Sequence, residues 1–122
     1  MDINNLTLPQ APLDSVDTTE LFKDKKVILF GLPGAFTPTC STKQLPGYEE
    51  MFSKFQEKGI HEIYCVSVND AFVMSNWFKQ QECLNVKFLA DGSGLLTDQL
   101  GMLCKKDNLG FGVRSWRYAC VI

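Results

Sequence analysis

Three short, largely apolar runs constrain this chain more than any other feature: Val27-Ile28-Leu29-Phe30, Ile63 to Val68, and Val86 to Leu89. A run without clean alternation has to bury both of its faces, which is what strands do inside a parallel sheet covered on both sides. The segments between the runs carry helical spacing instead. Leu45, Tyr48, Met51, Phe52 and Phe55 fall on one helical face, and Val73 and Trp77 lie four apart within Asp70 to Gln81. Strand, helix, strand, helix, strand implies right-handed crossovers and a mainly parallel sheet. The expectation is therefore a single α/β domain over residues 1–122.

Boundary residues refine this outline. Gly31 and Pro33 end the first run, and Asp17 and Asp70 stand as N-caps for helices at Thr18–Phe22 and 71–81. Gly59 sits where a C′ glycine belongs, and Pro46 predicts a kink between the first turns of its helix and the rest. Asp91 to Gly94 reads as a turn, Leu95 to Leu100 as a short helix, and Lys105 to Gly112 as a loop. Trp116 to Ile122 alternates as a strand does. Residues 1–17, with Pro9 and Pro12, are expected to form an irregular arm.

Composition narrows the function. The 122 residues carry 12 Lys and Arg against 14 Asp and Glu, a formal net charge of −2. That balance argues against nucleic acid as the main partner, and no apolar run is long enough to span a bilayer. Met1 is followed by Asp2 and polar residues, not by the apolar core of a secretory signal. Cys40, Cys65, Cys83, Cys104 and Cys120 include no Cys-x-x-Cys and fit neither a disulfide framework nor a zinc site. The expectation is reduced thiols in the cytoplasm or a compartment like it, with no metal.

Cys40 falls where a buried strand hands over to a helix, in that helix's first turn. Free N–H groups and the positive end of the dipole favour an anion there, so a thiol in this place is expected to be partly thiolate. Thr37, three residues earlier, can bring its hydroxyl to the same pocket, and Pro33 and Pro38 stiffen the loop. The competing reading is an inert buried cysteine in a loop-to-helix turn. Arg117 stands between Trp116 and Tyr118 in an apolar strand. It needs an anionic partner, either a thiolate or a carboxylate such as Glu49 or Glu50, unless it snorkels from an edge strand. Arg114 reads as a surface residue. His61, the only histidine, reads as solvated at a strand start.

The string Gly31-Leu-Pro-Gly-Ala-Phe-Thr-Pro-Thr-Cys40 closely resembles the active-site segment of type 5 (type II) peroxiredoxins. So do Leu45-Pro46-Gly47-Tyr48, Val66 to Val73, and Arg114-Ser115-Trp116-Arg117-Tyr118. The resemblance implies a thioredoxin-like fold and reduction of hydrogen peroxide and organic hydroperoxides by a cysteine thiolate, with no cofactor. It makes Cys40 the peroxidatic cysteine, Thr37 the hydroxyl that holds the peroxide, Pro33 the shield of the thiolate, and Arg117 its cationic support. It further implies an external thiol reductant, glutathione with glutaredoxin or thioredoxin, and a homodimer formed near the active-site loop, to which Phe36 and Asp70–Phe78 could contribute. Members of the family continue past the Arg117 strand with another strand and a C-terminal helix, which residues 1–122 do not contain. An alternative expectation is thus a truncated, non-catalytic protein that senses redox state or dimerises with longer copies. Cys65 sits at a spacing from Cys40 found in type II members, and either packs in the core or takes a redox role.

Overall fold

The computed structural model describes residues 3–11 and 13–122, so Met1, Asp2 and Pro12 lie outside the described residues. The expected irregular arm is instead a hairpin of β1 (Thr7–Gln10) and β2 (Leu13–Asp17), paired antiparallel. Its reason is non-local. Leu8 is buried in the core, and the Gln10 side-chain amide mimics a strand backbone by donating to Ala90 O at 2.6 Å and accepting from Ala90 N at 3.0 Å. Helix α1 (Thr18–Phe22) follows at once, with the Asp17 carboxylate accepting from Thr19 N as expected of an N-cap.

The apolar runs become β3 (Val27–Gly31), β4 (Glu62–Ser67) and β5 (Lys87–Ala90), with α2 (Leu45–Glu57), α3 (Ala71–Gln80) and α4 (Leu95–Gln99) between and after them. Two short strands, β6 (Leu103–Lys105) and β7 (Val113–Ser115), form an antiparallel hairpin around the expected loop, and β8 (Tyr118–Val121) closes the chain. The main sheet has the order β5-β4-β3-β8. β3 pairs parallel with β4, and β4 with β5, while β8 runs antiparallel against β3.

Period two divides the core. Ile28, Phe30, Ile63 and Cys65 point into a cluster with Leu45, Phe52, Met74 and Trp77. Val27, Leu29, Tyr64 and Val66 point into a second cluster with Leu8, Phe22, Leu89 and Leu96. Strands flanked by two apolar layers explain why those runs lack alternation. Among the described residues no helix is long and apolar enough to cross a membrane.

Candidate active site

The site lies where β3 hands the chain to the following helix. Gly31, the last residue of β3, is opposite Tyr118 in the register, and any side chain at Gly31 would collide with the Tyr118 ring. That close approach lets β8 lie tight against β3 and brings Arg117, the residue before β8, to the mouth of the site. The loop beyond Gly31 is tied down residue by residue. Leu32 N donates to Val66 O at 3.3 Å, and Ala35 N donates to Asn69 Oδ1 at 3.0 Å. Phe36 takes a left-handed φ of 64°, rare for an aromatic residue and a strain of about 1–3 kcal/mol. The reversal lets the Thr37 hydroxyl donate back to Gly34 O at 2.6 Å.

Backbone is helical from Pro38, and Ser41 N donates to Thr37 O at 3.0 Å, the first bond of the helix. Cys40 is therefore in the first turn, as its sequence position predicts. Its side chain is fully buried, at 0% exposure. Residues Cys40–Gln44 form a π-helical turn in which Leu45 N reaches Cys40 O. Pro46 supplies the reason: it cannot donate to the residue four back, so the helix widens before α2 begins. The kink expected at Pro46 is thus a wide turn carrying Cys40.

Arg117 Nη1 donates to Cys40 Sγ at 3.2 Å and to Gln44 Oε1 at 2.6 Å. Gln44 in turn donates from Nε2 to Gly31 O at 3.1 Å. Of the partners left open by the sequence, the sulfur is the one Arg117 meets. Glu49 is occupied elsewhere, accepting from Asn85 N at 2.7 Å. Arg117 is exposed rather than sunk in the strand, so the rest of its N–H fork is open to an incoming oxygen. His61 accepts from Lys26 N at 2.8 Å through Nδ1 and makes no bond to Cys40. Among the described residues no group of three metal-ligating side chains comes together.

Two hydrogen-bonding groups of the site are not visible in the sequence reading. Gln44 accepts from Arg117 Nη1 at the end of the widened turn, which sequence period does not show. Arg114, expected at the surface, is half-buried. Its Nη1 donates to the Pro33 carbonyl at 3.3 Å, because β6 and β7 pair on either side of the expected loop. Pro33 thus meets Arg114 through its backbone. Cys65 shares the apolar cluster with Cys40, and its thiol is pushed well above the usual cysteine range, first by complete burial and then by the nearby Cys40 and Cys83. Burial likewise pushes Cys83 up to about 11 and raises Cys120.

A thiol at the positive end of a helix, a guanidinium on its sulfur and an anchored hydroxyl in the same turn are suited to nucleophilic attack by sulfur. The comparisons agree on the family. A family model described as Redoxin matches residues 1–122, and the chain belongs to that family, on its peroxiredoxin branch. It is 61% identical over 105 residues to a peroxiredoxin of Rhizobium etli, covering 86% of this chain and 59% of that protein. It is 50% identical over 111 residues to peroxiredoxin-2B of Arabidopsis thaliana, covering 90% of this chain and 68% of that one. Reduced Prx3 of Vibrio vulnificus in complex with hydrogen peroxide matches at a TM-score of 0.88 and 42% identity, covering 100% of this chain and 81% of that one. The aligned part of this chain thus spans under two thirds of the Rhizobium relative's length. The thioredoxin-like α/β fold expected from the sequence is the fold observed.

Proposed function

We infer that this chain is a thiol peroxidase. The observation that carries the reading is Arg117 Nη1, held by Gln44 over the Cys40 sulfur. The guanidinium and the helix N-terminus put positive charge beside the sulfur that attacks. The sulfur attacks the terminal oxygen of a hydroperoxide, an S–O bond forms and the O–O bond breaks. The electron pair leaves on the distal oxygen, which takes a proton and departs as water or an alcohol, while Cys40 becomes a sulfenic acid. The proton of the Thr37 hydroxyl is engaged by Gly34 O, so its oxygen is free to accept from the peroxide O–H. Phe36 and Phe72, 46% and 63% exposed, support the homodimer expected from the family, and the five free cysteines suit a reducing, cytoplasm-like compartment.

The test is stopped-flow oxidation of the reduced chain by hydrogen peroxide and by an organic hydroperoxide. Diketone trapping and peptide mapping then locate the sulfenic acid. Cys40 is expected to carry it first. Cys83 or Cys104 oxidising faster than Cys40 with either peroxide overturns the reading and favours the non-catalytic alternative.

We propose further that the electrons for recycling come from outside the chain, from glutathione with glutaredoxin or from thioredoxin. Cys65 supports this: a fully buried thiol pushed up by its surroundings is a poor attacking nucleophile. One equivalent of peroxide without added thiol is expected to leave sulfenic acid on Cys40. Added glutathione is expected to capture it as a mixed disulfide. Rapid appearance of a Cys40–Cys65 disulfide in the peptide map refutes the proposal.

A further inference from the structure

Arg114 reaches the roof of the site from β7, 81 residues along the chain from the carbonyl it holds. Its Nε donates to Phe111 O at 3.0 Å, and its guanidinium carbon stands 5.4 Å from the Phe111 ring centroid. The fork is thus braced on its own hairpin before it meets the loop, where Nη1 donates to Pro33 O at 3.3 Å. The next residue of that loop has no side chain. A Cβ on Gly34 would lie 2.6 Å from Arg114 Nη1 and 3.4 Å from Thr37 Cγ2. The fork and the threonine therefore pack close on the same glycine. The Gly34 carbonyl then accepts both the Thr37 hydroxyl at 2.6 Å and the Thr37 N–H at 3.4 Å. Two consecutive carbonyls are held in sequence, the first by Arg114 and the second by Thr37.

We propose that Arg114 is a positioning residue. By clamping the Pro33 carbonyl and filling the space beside Gly34, it sets the height of the loop and so the place of the Thr37 hydroxyl, without bonding to the Cys40 sulfur. The proposal rests on the peroxidase reading above. Arg117, three residues further on, holds the sulfur. One segment thus holds the reacting atom with one arginine and the loop that receives peroxide with the other. A lysine at 114 cannot hold the Phe111 and Pro33 carbonyls with a rigid fork. A side chain at Gly34 displaces the fork, whose tip is the mobile end of a long side chain.

The variants are Arg114→Met, Arg114→Lys, Gly34→Ala and the Gly34→Ala/Arg114→Met pair. Three readouts apply: the peroxide rate constant, thiolate absorbance at fixed pH, and amide hydrogen exchange at Thr37. A displaced hydroxyl is expected to slow peroxide reduction by roughly ten- to a hundredfold in Arg114→Met, since a shift of about 1 Å has costs of that order. Thiolate absorbance is expected to match wild type, and Thr37 exchange to accelerate. Arg114→Lys is expected to fall between. Gly34→Ala alone is expected to lose nearly as much as Arg114→Met, and the pair little more than either, because both act through one contact. A wild-type rate in Arg114→Met, a parallel fall in thiolate absorbance, or additive losses in the pair overturns the proposal. If wild type itself fails to react with peroxide, the peroxidase reading falls, and exchange still decides for Arg114. Unchanged Thr37 exchange in Arg114→Met refutes the clamp, and faster exchange upholds it.

Discussion

Thr37→Val is expected to slow peroxide reduction by roughly a hundred- to a thousandfold while leaving the melting temperature near that of the parent chain. The scale follows from removal of one preorganised hydrogen-bonding group from a reacting centre, about 2.7–4 kcal/mol of barrier. Valine keeps the shape of threonine, and the residue is half-buried in the loop, so packing changes little. The hydroxyl has two tasks here. It ties the loop by donating to Gly34 O, and it offers its oxygen to peroxide. Thr37→Ser keeps both and is expected to retain much of the rate. Stopped-flow rate constants for the two variants separate the hydroxyl from the methyl group. Equal losses in serine and valine would show that the hydroxyl is not the operative group.

The parts of this molecule readable from sequence are those fixed by local chemistry. Buried strands show as Val27–Phe30 and Ile63–Val68 because two-sided burial leaves no polar alternation. The Asp17 and Asp70 caps show because one side chain meets one nearby N–H, and both are observed. Cys40 at a helix start follows from the same local logic. What stayed illegible depends on distant pairing. Gln10 secures the first hairpin through Ala90, and Glu49 in α2 caps the chain entering β5 at Asn85. Arg114 reads as a surface residue because its alternation and neighbouring glycines describe only its own strand. The carbonyl that buries it belongs to Pro33. Gln44 was invisible for another reason. Its aim depends on the extra residue in the Cys40–Gln44 turn, and a period of 3.6 assigns it a different face.

Arg117→Met is expected to slow peroxide reduction by about ten- to a hundredfold at neutral pH, the range set by losing a hydrogen bond to a charged group, about 1.5–3 kcal/mol. Two losses combine. Without the guanidinium the attacking sulfur loses its hydrogen-bond donor, and the incoming peroxide loses N–H donors. Arg117→Lys keeps the charge without the fork that bridges Sγ and Gln44 Oε1, so partial recovery is expected. Arg117 is exposed, so little change in melting temperature is expected. The rate of Cys40 alkylation at one pH distinguishes the two arginines. Arg117→Met is expected to change it, whereas Arg114→Met, acting on the loop, leaves it as in the parent chain. A changed rate in Arg114→Met with an unchanged one in Arg117→Met would show that the sulfur's cation is the other arginine, and the 3.2 Å contact between Arg117 and Cys40 would carry no chemistry.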